Sequence, residues 1–307
     1  MTESRLLKPS TLFMVVVVFM VFKYWYDHRD IEPEANQRTP EAVFAQLEDT
    51  MHRRLKAIPE SVKRKINQNA NFGSSATEYS PHQAGYQVLM HVKELFTGNA
   101  VASISKDCSQ WYEEFAVQLK PDKRQSNVLF DFHAKRVESL TNREAQVVTK
   151  TKTLVNDQME ESLEDLRFNR VGDFLELRSE GETVELAPDT MLNIESGIYV
   201  LNQIAQQNYQ MIFYSEPDDF SKYPIRNEVV IEPFTEDYQL TNMWIVKTQE
   251  YKDEGQGYQL DTSVIELINP RAITLYAATV DTDGVLYELI LNDFEYLPAR
   301  CKQFAAL

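Results

Sequence analysis

Hydrophobic positions follow three different rules along this chain. Leu12 to Phe22 is an unbroken apolar run, residues from Thr39 to about Leu119 repeat apolar side chains every three or four positions, and from Asn127 onward the period shortens toward two. The first rule predicts a membrane segment, the second amphipathic helices and the third strands. Thr39 is suited to cap a helix that has Pro40 at its first position and Glu41 in its first turn. Val43, Phe44, Leu47, Met51, Leu55 and Ile58 then give that helix one apolar face. Pro59 opens a second, shorter helix. Pro81 opens a third, expected to run to about Phe96 with Tyr86, Leu89, Met90 and Val92 inward. A fourth is expected over Ser103 to Leu119, carried by Ile104, Cys108, Trp111, Tyr112, Phe115 and Leu119. Residues 39–120 therefore read as a helical subdomain.

Beyond it, Val128, Phe130 and Phe132 alternate with Leu129, Asp131 and His133, and the β-branched run VVTKTKTLV covers 147–155. Phe174 to Leu177 and Val184 to Leu186 flank a turn at Glu180, Gly181 and Glu182. Met159, Leu163 and Leu166 suit a helix as well as a strand. Ile194 to Gln206 predicts a short helix. Strands are expected at Tyr209–Tyr214, Glu228–Glu232, Asn242–Tyr251, Tyr258–Ile268, Ala272–Val280 and Val285–Leu291, the last four as an antiparallel meander. The fold class is α+β: a single N-terminal transmembrane helix and a helical N-terminal part, followed over 121–307 by a large, mostly antiparallel β-sheet or half-barrel.

The apolar run sets the compartment. Thr11 to Tyr26 as a helix spans about 24 Å against a hydrocarbon core of roughly 30 Å, so the bilayer thins or the helix extends. Lys23 snorkels beside Tyr24, Trp25 and Tyr26, an interfacial aromatic group. Two alternatives remain open, a cleaved signal peptide and a buried soluble helix; a signal peptidase site needs small residues, and the flank is KYWYDHRD. Arg5 and Lys8 precede the run and an acidic stretch follows it, which keeps the N-terminus in the cytoplasm. The expected layout is a cytoplasmic tail over 1–10, a signal anchor over 11–26, a linker over 27–38, and the bulk of the chain in the periplasm of an inner-membrane, single-pass protein. No N-x-S/T acceptor occurs, in keeping with a bacterial envelope.

Charge narrows the partners. The chain carries a formal net charge of −16; residues 1–127 hold 16 Lys and Arg against 15 Asp and Glu, and residues 128–307 hold 15 against 32. Such a surface repels phosphate backbones, so nucleic acid is excluded, and the expected partners are the lipid bilayer through residues 11–26 and other envelope proteins. Arg53, Arg54, Lys56, Lys63, Arg64 and Lys65 form a basic cluster that is either a solvated helix face or a contact for anionic lipid. Asp281, Asp283 and Gly284 lack the first-position acid and twelfth-position Glu of a calcium loop, so no metal and no cofactor is expected. Cys108 and Cys301 suffice for one disulfide in an oxidising compartment.

Asp107, Cys108 and Ser109, set at the start of the fourth predicted helix, resemble the D-C-S nucleophile motif of NlpC-type cell-wall cysteine peptidases. The resemblance implies Cys108 as nucleophile, its thiol acidified by a helix N-terminus, with His133 as base. Gln110 stands where that family has Gly, and the family's downstream Gly-flanked histidine is missing. The expectation is therefore a membrane-anchored, extracytoplasmic binding or assembly protein without catalytic activity. A Cys108–His133 peptidase and a periplasmic carrier of an apolar ligand are the alternatives.

Overall fold

A computed structural model describes residues 39–69, 82–105, 107, 109–119, 128–139, 141–155, 158–236, 238, 240–253, 255–269, 273–282, 284 and 286–296, apart from 91–95. The predicted membrane segment, Cys108 and Cys301 lie outside the described residues. Among those described, no helix is long and apolar enough to cross a membrane.

Among the described residues two helices come first, α1 (Pro40–Leu55) and α2 (Glu60–Asn69). Leu47, Met51 and Leu55 form a buried stripe on α1, and Ile58, Val62 and Ile66 continue it at four-residue spacing. Both helices lie on the outward side of the sheet, α1 over β13 and β14 and α2 over β15, against Ile245, Ile265, Leu267 and Ile290.

The strands are β1 (His82–Met90), β2 (Phe96–Ile104), β3 (Gln110–Leu119), β4 (Val128–Ser139), β5 (Glu144–Val155), β6 (Gln158–Val171), β7 (Phe174–Ser179), β8 (Glu182–Glu185), β9 (Thr190–Met191), β10 (Gln210–Ser215), β11 (Ile225–Pro233), β12 (Trp244–Asp253), β13 (Tyr258–Ile268), β14 (Thr274–Asp281) and β15 (Leu286–Tyr296). A third helix, α3 (Asn193–Ala205), joins β9 to β10. All fifteen strands form one sheet in the order β8-β7-β6-β5-β4-β3-β2-β1-β15-β14-β13-β12-β11-β10-β9. Every pair is antiparallel except β9 with β10. The predicted meander is present as β12 to β15.

The sheet curls on itself. Eight strands separate β4 from β10 in the sheet order, which in a flat sheet would place them about 40 Å apart. Yet Arg136 of β4 forms an ion pair with Glu216, the residue after β10. Glu113 of β3 and Glu266 of β13 likewise interact although four strands lie between them. Irregularities at Gly85/Tyr86, Glu250/Tyr251 and Leu267/Ile268 add the local twist that such curvature needs. Gly98 is a further device: a Cβ there would stand 2.1 Å from the Ala116 carbonyl oxygen, so only glycine lets β2 and β3 approach so closely.

The helical reading of residues 81–119 is corrected by β1, β2 and β3. Among the described residues helix is confined to the first part of the predicted subdomain, and the proposed boundary at residue 120 falls inside a continuous sheet, since β3 pairs with β4 along nearly its whole length. Residues 158–171, which suited either state, are strand β6.

Candidate functional site

Register and side-chain alternation assign the concave face. On β3 it carries Trp111, Glu113, Phe115, Val117 and Leu119; opposite them on β4 stand Glu138, Arg136, Ala134 and Phe132, followed by Phe130. On β13 the same face carries Val264, Glu266 and Ile268, paired through β12 with Thr248, Val246 and Trp244.

One end of the enclosed space is filled. Ile194, Ile198, Leu201 and Ile204 of α3 pack there against Ile104 and Trp111 from one wall and Met211, Val229, Ile231, Val246 and Ile268 from the other. The entry of α3 is pinned by polar contacts: Glu195 accepts from the Leu192 amide at 3.0 Å and pairs with Arg170 at 2.9 Å and Arg143 at 2.5 Å. The Ile194 amide donates to a Glu138 carboxyl oxygen at 3.4 Å, at the positive end of the helix.

Away from α3 the interior is different. On the wall formed by β1 to β4, Val88, Val117 and Phe130 are 1%, 2% and 6% exposed and so packed closely among their neighbours. Phe96, Phe115 and Phe132 on the same wall are only half-buried. Phe96 meets Phe130 edge-on at 5.2 Å, and Phe115 meets Phe132 at 6.0 Å. Aromatic side chains that keep accessible surface on the inner face of a curled sheet line a recess.

Between the aromatic wall and α3 runs a belt of carboxyls. Glu113, Glu250 and Glu266 lie deep among protein atoms and still keep accessible surface, as groups lining an internal recess do. Burial pushes Glu266 up to about 7, helped by the Glu250 and Glu113 charges. Glu113 is also raised by burial and by Glu216, with Arg136 and the Trp111 indole working the other way. Glu250 is raised by burial while Thr262, hydrogen-bonded to it, opposes the shift. Tyr86 of β1 faces this belt, and its phenol is held protonated by burial and by Glu113 and Glu266. Arg136 binds Glu138 at 2.6 Å and also Glu216; burial and Glu216 push Glu138 up to about 8 against the pull of Arg136. Glu138 Oε1 and Glu216 Oε2 are buried without a hydrogen-bond partner.

The curl is similar to that of a solved β-barrel-like protein. The crystal structure of a beta-barrel-like protein of domain of unknown function DUF1849 from Brucella abortus superposes with a TM-score of 0.57 at 13% identity, covering 72% of this chain and 99% of that one. At that identity the likeness shows the fold alone. LprF from Mycobacterium bovis aligns at 10% identity over 75% of this chain and 93% of its own, but a TM-score of 0.18 supports no argument. No protein-family model matches the sequence, and no curated protein matches it.

The sequence-derived sites fall elsewhere. Asp107 and Ser109 lie in the turn joining β2 to β3, where Asp107 accepts from the Ser109 amide at 3.1 Å and the Ser109 hydroxyl at 2.8 Å. Among the described residues no helix starts at this turn, which is flanked by β2 and β3. His133 points outward from β4 and meets Glu114 at 2.7 Å. It stands opposite Ala116, six residues along β3 from Gln110 at the turn, a separation of about 20 Å. The geometry thus keeps His133 away from the turn that was to hold its nucleophile.

The basic cluster is likewise dispersed. Arg54 makes two hydrogen bonds to the fully buried Glu288, at 2.8 and 2.9 Å. Lys63 is buried and pairs with Glu60 at 3.1 Å, Lys65 donates to the Phe294 carbonyl at 3.0 Å, and Arg53 and Arg64 turn back onto their own helices. Lys56 is exposed. The residues that build the recess, Glu113, Arg136, Glu138, Glu216, Glu250 and Glu266, were not singled out from the sequence. Their only signal was a charged residue at an inward position of an alternating strand, such as Glu266 between Val264 and Ile268.

Proposed function

We propose that this chain is a membrane-tethered envelope protein that binds a small apolar or amphiphilic molecule inside its curled sheet and does not transform it. The supporting observation is the inner face of the curled sheet, where half-buried Phe96, Phe115 and Phe132 keep accessible surface beside Glu113, Glu250 and Glu266. The tether is the apolar run over residues 11–26. The assembly reading rests on Met159 and Leu163, 58% and 63% exposed on the outward side of β6, which suit contact with another envelope protein.

Trp111 supplies the test, because it stands on the concave face two residues from Glu113. A brominated alkane entering the hollow quenches Trp111 fluorescence saturably, and Trp111→Phe removes the saturable component. Quenching that rises linearly with concentration and is unchanged in Trp111→Phe would argue against an interior site and leave the assembly reading.

A further inference from the structure

The belt of carboxyls divides the interior into two chemically different zones. Along β3 the inward sequence is Trp111, Glu113, Phe115, Val117, so an acid meets an apolar wall one residue pair further on, about 7 Å away. Across the hollow on β13, Glu266 stands beside Val264 in the same way. A molecule lying along this wall therefore meets aromatic and aliphatic groups over most of its length and carboxyls at the end nearer α3.

We propose that the hollow takes an amphiphile with a protonated amine head, the head seated among Glu113, Glu266 and Glu250 and the tail lying along the half-buried rings of Phe115, Phe132 and Phe96. This rests on the binding reading above and names the class of ligand. Arg136 stands opposite Glu113 and eases its burial, but its hydrogen bonds go to Glu138 and Glu216. Lys252 is held by Asp218 and Asp261, both at 2.8 Å. Glu138, fully buried, and Glu216, 9% exposed, each keep one oxygen with no donor. Glu138 occupies the inward face next to Arg136, so its spare acceptor belongs to the same interior.

An ammonium brings what this site lacks. It offers three donors and a positive charge, and it accepts nothing. Carboxyls crowded in a poorly solvated recess raise one another's affinity for protons, and the same field draws in any other cation. A carboxylate or phosphate head would meet charge of its own sign from Glu113, Glu250 and Glu266. An alcohol head would gain a hydrogen bond without the charge.

Photoaffinity labelling of the full-length chain separates these heads. Three dodecyl probes carrying the same diazirine in the tail and an amine, a carboxylic acid or an alcohol at the end are cross-linked, and the labelled peptides are mapped by mass spectrometry. The amine probe labels peptides of β3 and β4 at a concentration about tenfold below that of the other two, the difference expected from a charge-assisted hydrogen bond. Glu113→Gln together with Glu266→Gln removes this preference while labelling by the alcohol persists. Equal labelling by all three probes, or preference for the acid, overturns the head-group assignment and leaves the binding reading standing. Absence of label from β3 and β4 with every probe overturns both. The comparison of heads on the unaltered chain decides the matter even where the double variant does not fold.

Discussion

The carboxyls of Glu138 and Glu266 are held at about 8 and about 7 because burial penalises their charged forms and neighbouring carboxylates add to it. Unfolding returns them to the ordinary 4.5. Between those values the folded chain binds more protons than the unfolded one, so their contribution to stability is complete below 4.5 and is lost as pH rises through 7 and 8. Asp165 and Glu161 run the opposite way, held down by Arg167 and Lys150, but both pairs face solvent and carry little weight. The melting temperature should therefore be higher at pH 5 than at pH 8, and Glu266→Gln should raise it at pH 8 by about 2–4 °C. Thermal melts followed by circular dichroism at both pH values check this; an unchanged or lowered melting temperature for the variant at pH 8 would count against a proton held in the interior. Glu288 is a different case, a buried carboxylate matched by Arg54 and by the Tyr276 hydroxyl at 3.1 Å. Arg54→Ala should cost about 3–5 kcal/mol, since it leaves an uncompensated charge under α1. Arg54→Lys should recover only part of that, because an ammonium cannot reproduce the two-pronged contact. Urea denaturation of the three proteins gives both numbers.

At the scale of elements, the sequence was readable wherever a strand had one wet face or a turn had its own chemistry. The hairpin around Gly181 has Glu180 and Gly181 at positive φ, and the strands from Trp244 onward alternate cleanly, so both could be placed in advance. Residues 81–119 misled for an identifiable reason. In β3 the inward set Trp111, Phe115, Val117 and Leu119 is broken at its second place by Glu113, and what remains mimics the three- and four-residue spacing of a helix once outward Tyr112 is counted. In β1, Tyr86 and Val88 alternate with Leu89, and Tyr86 and Leu89 both join the core that α1 covers, so both faces are apolar and period two disappears. The acid that hid the strand is also part of the candidate site, as local patterns tend to fail where function is placed. Closeness of β2 and β3 makes a specific demand: Gly98→Ala should destabilise by about 1–3 kcal/mol or more, because the new methyl collides with backbone that cannot swing away. A denaturation midpoint equal to that of the parent would mean the strands do not approach as described.

For the whole molecule, closure follows from contacts that sheet order alone does not provide: Arg136 with Glu216, and α3 wedged between β2–β3 and β10–β13. None of these pairs is near in sequence and none is marked by a motif, so the enclosed space was not legible before the sheet was assembled. The fold class was legible in outline, as a large antiparallel sheet, and the anchor over residues 11–26 remains an expectation of the sequence. A reporter fused after Leu307 should be active only outside the cytoplasm; cytoplasmic activity would remove the envelope reading. The central claim, that the curled sheet encloses a ligand site, is tested most directly by native mass spectrometry of the full-length chain beside Ala134→Trp, whose indole would enter the hollow opposite Phe115. The account predicts a mass excess of one small organic molecule on the parent chain, absent from Ala134→Trp while the fold is retained. A parent chain that carries no such excess, with Ala134→Trp failing to fold as an overfilled core would, contradicts it.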